Sequence, residues 1–234
     1  MSTAIARPDP LSNGFYTVGD VARLLQIESR RKVIGWIAGY RDGIPEAVIS
    51  RDYPPLGNTH ELSFWDLMEV RFIYHFRKQG VPMQTLRRIA SKARSDLDVR
   101  HPFALSKVKY LTDRKRVFAQ VIEETGDRRT MDILGDQYEM YDVIEHILAQ
   151  GVAFDPQTSM AENWQPLLAD CPNVYVNPKF AYGQPVISGR YIPTSALFRS
   201  WRAEGGDFEG VADWYGVGRD HVQEAVEFEA RLSA

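Results

Sequence analysis

One short stretch near the end of the chain constrains the fold more than any other. It runs from Tyr182 to Leu197 and reads YGQPVISGRYIPTSAL, with two glycines and two prolines around a short apolar run. Glycine and proline mark turns, and Pro193 followed by Thr194 is typical of an extended entry into a helix that threonine caps. We therefore predict a compact β-turn unit that docks the helices following it.

The residues after this turn predict three helices. Leu197 and Trp201 share a helical face in PTSALFRSWRAEGG, and Gly205 ends that helix. In DFEGVADWYGVGRDHVQEAVEFEARL the apolar spacing continues on both sides of a turn at 216–218. A small Ala212 before such a turn is typical of a helix-turn-helix pattern.

The N-terminal region predicts a second unit of the same kind. FYTVGDVARLLQI predicts a short amphipathic helix capped by Thr17, with Asp20 near its positive end. ESRRKVIGWIAGY predicts a second helix that ends near Gly39, and GIPEAVISRDYPPLGNTHELSF predicts a β-hairpin wing. SFWDLMEVRFIYHFRKQG, ending at Gly80, and VPMQTLRRIASKARSDL then predict two longer helices.

The middle of the chain supplies the expected domain boundary. Short β-like pieces between Lys107 and Tyr138 predict a small antiparallel sheet. Residues 151–176 are rich in Pro, Asn and Asp with little periodicity, so we predict a linker there between domains at 14–150 and 177–234. The predicted fold class is mainly α with a small antiparallel β component and two helix-turn-helix-like domains.

The N-terminal unit resembles the MerR-like winged helix-turn-helix over roughly residues 15 to 100. The resemblance is carried by YTVGDVARLL, WIAGY and LSFWDLMEVRFIYHFRKQGVPMQTLRRI. The chain departs from the family pattern between Ala22 and Trp36, where it is about one residue longer, and Gln26 stands where a turn glycine is common. The resemblance implies binding to double-stranded operator DNA.

The tail, from about Asn177 to Leu232, resembles the small domain of the family called domain-of-unknown-function 433. The motif GQPVISGRYIPT carries this resemblance, although Arg190–Tyr191 replaces the Thr-Arg usual in the family. The matching positions are Gly183, Pro185, Val186, Ile187, Gly189, Ile192, Pro193 and Thr194. The resemblance implies an antitoxin of the VapB type, whose partner is a PIN-like ribonuclease toxin.

The charge distribution separates the two halves. Residues 1–116 carry 20 Lys+Arg against 12 Asp+Glu, whereas residues 117–234 carry 8 against 19. A basic half gains from releasing counterions from a nucleic-acid backbone, and an acidic half is repelled by phosphate and suits a basic protein surface. The alternative is that both halves are solvated faces.

Candidate site residues follow from these two units. The start of the predicted recognition helix carries three basic residues suited to phosphates and a guanine edge, and further arginines flank it. The predicted DNA-binding residues are Arg23, Arg30, Arg31, Lys32, Arg41 and Arg51. Aromatic residues of the acidic tail are either plain core or anchors for homodimerisation or toxin binding. These are Trp201, Phe208, Trp214 and Tyr215.

The sequence favours a binding protein over an enzyme. Its five histidines have no metal-ligand spacing and no Gly-rich phosphate loop is present, so we expect no catalytic site, metal or cofactor. The lone Cys171 is expected to pack in the core, and the lack of a signal peptide or membrane span predicts a cytoplasmic protein. An operator with two-fold symmetry requires two recognition helices, so we predict a homodimer. The alternative function is a MerR-like transcriptional regulator that senses a small molecule.

Overall fold

A computed structural model describes residues 9–39, 46–105, 120–122, 124, 126 and 150–233. The sheet predicted between Lys107 and Tyr138 lies outside these residues, except that 120–122 and 124 are helical rather than extended. In the ranges given, the chain is mainly helical with a smaller antiparallel β component, as predicted, and the strands form two sheets. None of the helices in those ranges combines the length and the apolar character needed to cross a membrane.

The described chain has an N-terminal block of helices with two short strands and a C-terminal block in which five strands precede three helices. The helices are α1 (Pro10–Asn13), α2 (Val18–Leu24), α3 (Arg30–Ile37), α4 (Phe64–Lys78), α5 (Met83–Leu97), α6 (Thr194–Ala203), α7 (Phe208–Tyr215) and α8 (Arg219–Arg231). The strands are β1 (Tyr16–Thr17), β2 (Glu61–Leu62), β3 (Val152–Phe154), β4 (Ala161–Trp164), β5 (Val174–Val176), β6 (Pro185–Ile187) and β7 (Ile192–Pro193). Short 3-10 turns cover Pro102–Ala104 and Ala181–Gly183.

Two capping boxes set the starts of α2 and α4. Thr17 Oγ1 accepts a hydrogen bond from the Asp20 amide, and the Asp20 carboxylate accepts one from the Thr17 amide, which confirms the predicted cap. Ser63 and Asp66 make the same reciprocal pair at α4. Each box satisfies amides that a helix N-terminus leaves without partners.

The predicted β-hairpin wing is wrong in its described part. Glu61–Leu62 pairs with Tyr16–Thr17 rather than with a neighbouring segment, and a single bridge from Leu56 to Thr59 closes the turn. Leu62 is fully buried in this pairing, so its side chain belongs to the core and not to an exposed hairpin. The residues just before α4 therefore contribute to the core beside that helix.

Residues 151–176 form three strands where the sequence predicts a linker. Strands β3 to β7 make one antiparallel sheet in chain order, with Val174 opposite Ile187 and Val176 opposite Pro185. Trp164 is also buried in it. The strands are only three or four residues long, too short for a period-2 signal to stand out from the surrounding polar residues.

The motif region forms the predicted turn unit, with one correction. Strands β6 and β7 pair as a hairpin around Gly189, whose φ is 81°, and α6 follows at once. However, Thr194 does not cap α6, because the cap position is Pro193. The Thr194 hydroxyl instead donates to the Glu229 carboxylate in the interior.

The three C-terminal helices pack around a small apolar centre. α7 is capped at its start by Asp207, whose side chain accepts from two amides, and at its end by Gly216 in the left-handed region. Val211, Val222 and Phe228 are fully buried between the helices. Cys171 is buried too, as predicted, and burial raises the pKa of its thiol to about 11.

The N-terminal and C-terminal blocks share one hydrophobic cluster, which includes Phe64 from α4 and Leu197 from α6. Backbone contacts join the blocks as well, since the Phe15 amide donates to the Tyr182 carbonyl at 2.9 Å. Gly183 has φ 85°, and a Cβ there would overlap the Tyr16 hydroxyl. The first glycine of the motif thus makes room for an N-terminal side chain.

We predict that Gly183→Ala destabilises the protein far more than Gly189→Ala. Both glycines have positive φ, which costs alanine about 1 kcal/mol, but nothing lies within 4 Å of a Cβ at Gly189. The clash with Tyr16 adds roughly 1–3 kcal/mol at Gly183. Thermal unfolding of the two variants measures the difference, and equal losses would show that the Tyr16 contact is unimportant.

Candidate nucleic-acid interface

The basic residues of α3 face solvent. Arg30, Arg31 and Lys32 are exposed in the first turn, while Val33 and Trp36 are buried on the opposite face. The helix begins at Ser29, which makes no capping hydrogen bond through its side chain. Positive side chains and the positive end of the helix therefore point to the same side, which suits a phosphate.

Arg30 also contacts the helix before it. A Cβ on Gly19 would lie 3.4 Å from the guanidinium carbon of Arg30, so the absence of a side chain there leaves room for the arginine. α2 and α3 pack against each other across a turn in which Gln26 has φ 52°. The structure thus places the two helices in contact with the basic end of α3 uncovered.

Two of the predicted DNA-binding arginines are engaged inside the protein. Arg23 Nη1 lies 2.8 Å from Glu229 Oε2, and Arg51 Nε donates to the Ile37 carbonyl at 3.2 Å. Burial lowers the pKa of Arg51. Arg41 lies outside the described residues. Of the six candidates, the structure leaves the α3 triplet available to a ligand.

Glu229 connects three helices. It is 5% exposed, and besides the Arg23 ion pair it accepts a hydrogen bond from the Thr194 hydroxyl at 2.5 Å. Arg23 belongs to α2, Thr194 to α6 and Glu229 to α8. The helix that precedes the basic triplet is thereby fixed to the C-terminal block.

Further arginines, on α5 and just after it, hold the segment before β2. Arg87 donates to the Glu46 carbonyl, Arg94 to the Val48 carbonyl and Arg100 to the Ser50 carbonyl. These contacts have no sequence signature, because the acceptors are backbone carbonyl groups. The positions of the arginines on α5 and just after it are the only sequence features related to them. These cations therefore stabilise the fold around α3.

A groove of about 1300 Å³ adjoins the basic triplet. It is bounded by α2 and α3, the turn at 58–61 and the end of α8, and Arg30 and Arg231 are among its charged residues. The volume exceeds the roughly 300–1000 Å³ of pockets that enclose small molecules. Its charged lining is mixed, since Asp20, Glu28 and Glu61 lie beside the arginines.

The four aromatic candidates of the tail divide into two groups. Trp201 packs on Phe208 with ring centroids 5.4 Å apart, and the Tyr215 hydroxyl lies 2.9 Å from Ser200 Oγ. These three side chains are half-buried among the C-terminal helices. Trp214 is 73% exposed, so it alone of the four is free to enter a partner surface.

Comparisons with known proteins agree with this architecture. Residues 174–228 match the family described as "Protein of unknown function (DUF433)". A Mycobacterium tuberculosis protein described as "Putative antitoxin VapB45" is 28% identical over 228 residues, covering 91% of this chain and 92% of its own. The crystal structure of Rv2018 from M. tuberculosis covers 94% of this chain and 98% of its own, with a TM-score of 0.70 and 24% identity.

These findings confirm the resemblance of the tail to the family. The matched region contains the GQPVISGRYIPT motif, α6, α7 and most of α8. The solved structure shows that nearly the whole chain shares a known fold. The resemblance of the N-terminal unit to a MerR-like winged helix-turn-helix stays a prediction.

We predict that Arg23→Met destabilises the protein more than Glu229→Gln. Removing the arginine leaves a buried carboxylate without its counter-charge, whereas removing the acid leaves a partly exposed arginine that water can solvate. Broken buried pairs cost about 3–5 kcal/mol, and partial exposure of Arg23 reduces this to roughly 2–3 kcal/mol.

Chemical denaturation of both variants and of the double variant tests this prediction. The double variant should regain part of the stability lost in Arg23→Met, because no unpaired carboxylate remains. Strict additivity of the two losses would contradict a direct interaction.

Proposed function

We propose that the protein is the antitoxin of a type II toxin–antitoxin pair, which binds its own operator and neutralises a PIN-like ribonuclease toxin by protein contact. One observation carries the proposal: alignment over 91% of the chain with a protein described as "Putative antitoxin VapB45". The DUF433 match over residues 174–228 supports the same conclusion for the tail.

Operator binding is assigned to the N-terminal unit. Arg30, Arg31 and Lys32 form an exposed basic surface at the start of α3, next to the groove described above. Contacts to phosphates fix the position on DNA, and an arginine can read a guanine in the major groove. A homodimer supplies two such helices, spaced by about one DNA turn.

Toxin binding is assigned to the C-terminal helices. Their surface includes Glu209, Asp213, Asp220 and Glu227, which are exposed carboxylates that repel phosphate. The exposed Trp214 lies among them and resembles the aromatic anchors that dominate many protein interfaces. A partner that fits this surface carries basic residues around an apolar pocket.

We predict that Arg31→Glu weakens operator binding about 30- to 100-fold at moderate salt, because it replaces a phosphate-facing cation with an anion. Fluorescence anisotropy of the upstream DNA over a salt series measures the change. Arg202→Glu, an equal charge change at an exposed position of α6, is the matched control. Equal effects of the two substitutions would exclude α3 as the interface.

We predict that Trp214→Ala weakens binding to the product of the adjacent reading frame by 10-fold or more, since it removes an interface anchor. Its affinity for operator DNA should stay unchanged. Leu168→Ala, another exposed apolar position, is the control. Titration calorimetry measures both affinities. A Trp214→Ala variant that binds the toxin as tightly as the unaltered chain would remove Trp214 from the interface.

A further inference from the structure

Three side chains that lie far apart in sequence meet in the interior of the N-terminal block. Asp52 precedes β2, Asp66 lies in the first turn of α4, and His101 follows α5. One ligand atom from each lies within 4.8 Å of the others. The Asp66 side chain is fully buried and that of His101 is 4% exposed. No sequence spacing predicts this cluster, because only the fold brings His101 to the two carboxylates.

Most polar atoms of the cluster are satisfied. Asp66 Oδ2 accepts from the amides of Ser63 and Asp52, at 2.9 and 3.1 Å. Asp52 Oδ2 accepts from the Ser63 hydroxyl at 2.6 Å, and Asp52 Oδ1 lies 2.9 Å from His101 Nε2. These bonds hold both carboxylates and the imidazole in fixed orientations.

Two buried atoms are left over, and they face each other. Asp66 Oδ1 and His101 Nδ1 have no hydrogen-bond partner, and they are 3.8 Å apart, beyond hydrogen-bond distance. When Nε2 carries the proton donated to Asp52, Nδ1 presents a lone pair toward a carboxylate oxygen. Two buried acceptors in this arrangement are unfavourable unless a proton or a metal cation lies between them.

The neighbouring arginines pair with other carboxylates and not with Asp66. Arg100 Nη1 lies 3.6 Å from Asp52 Oδ1, and Arg94 Nη1 lies 3.8 Å from Glu69 Oε2. Among the described residues, Asp66 has no arginine or lysine within ion-pair distance. Neighbouring cations thus balance Asp52 and Glu69, whereas among the described residues the His101 imidazole is the basic group within 4 Å of the Asp66 carboxylate.

We propose that Asp66 Oδ1 and His101 Nδ1 bind a divalent transition-metal ion, with Asp52 orienting the imidazole through Nε2. A carboxylate behind a metal-binding histidine is the usual arrangement for fixing its tautomer. Nitrogen and oxygen ligands at about 2.0–2.2 Å suit Zn²⁺. Tetrahedral ligands at such lengths lie about 3.4 Å apart, so a small side-chain adjustment closes the observed separation. Solvent or anion ligands complete the coordination.

Selectivity follows from the ligand set. An imidazole with one carboxylate favours Zn²⁺ or Co²⁺ over Mg²⁺, which prefers oxygen ligands and retains its water. The ion would connect the segment before β2, the start of α4 and the turn after α5. Binding to the folded state alone raises the unfolding temperature, and this gives a measurement independent of DNA or toxin.

The test uses the full chain treated with a chelator and then titrated with Zn²⁺, Co²⁺ or Mg²⁺. We expect one equivalent of Zn²⁺ to bind, an unfolding temperature raised by several degrees, and a Co²⁺ absorption band typical of tetrahedral coordination; Mg²⁺ has no effect. His101→Asn and Asp66→Asn should weaken Zn²⁺ binding at least 100-fold, and Asp52→Ala by about 10- to 100-fold. His221→Asn and Asp96→Asn are controls that should retain the Zn²⁺ affinity of the unaltered chain.

The outcomes decide the proposal even where a buried substitution prevents folding. In the unaltered chain, Zn²⁺ should shift the imidazole NMR resonances of one buried histidine among the five. Absence of Zn²⁺ binding, shifts confined to an exposed histidine, or undiminished affinity in folded His101→Asn and Asp66→Asn proteins would each overturn the proposal.

Discussion

The buried carboxylate of Glu229 is the point on which the arrangement of the two blocks depends. A charge that is 5% exposed is stable in the interior only when partners satisfy it, and here Arg23 and Thr194 do so from α2 and α6. The pair fixes where the helix before the basic triplet sits relative to the last helix. Contact between Tyr16 and Gly183 gives a second connection, through packing rather than charge.

These connections give the proposed antitoxin a physical route between its two activities. Toxin binding on α7 would act on helices that hold Glu229, and Glu229 holds α2, against which α3 packs. The ion pair thus connects the proposed toxin-binding helices to the helix on which the basic end of α3 packs. Such coupling is reciprocal, so operator DNA would alter toxin affinity by the same factor.

Local patterns predicted the helices well and the long-range contacts poorly. Capping signals placed the start of α2, and the apolar spacing of VPMQTLRRIASKARSDL predicted α5, which buries Leu86, Ile89 and Ala93. The sequence could not reveal that Arg23 meets an acid 206 residues away, or that short strands replace a linker. Charge indicates that an arginine binds an anion but does not say which one. In the same way, single histidines show no metal spacing when their partners come from separate segments.

The most direct test of the antitoxin proposal is the affinity of the purified chain for its upstream DNA, measured over a salt series with and without the product of the adjacent reading frame. The proposal predicts salt-dependent binding and a change in affinity when that product is added. The proposal would be contradicted if the protein binds the DNA but the neighbouring product neither associates with it nor changes its affinity. That result would favour a ligand-sensing regulator.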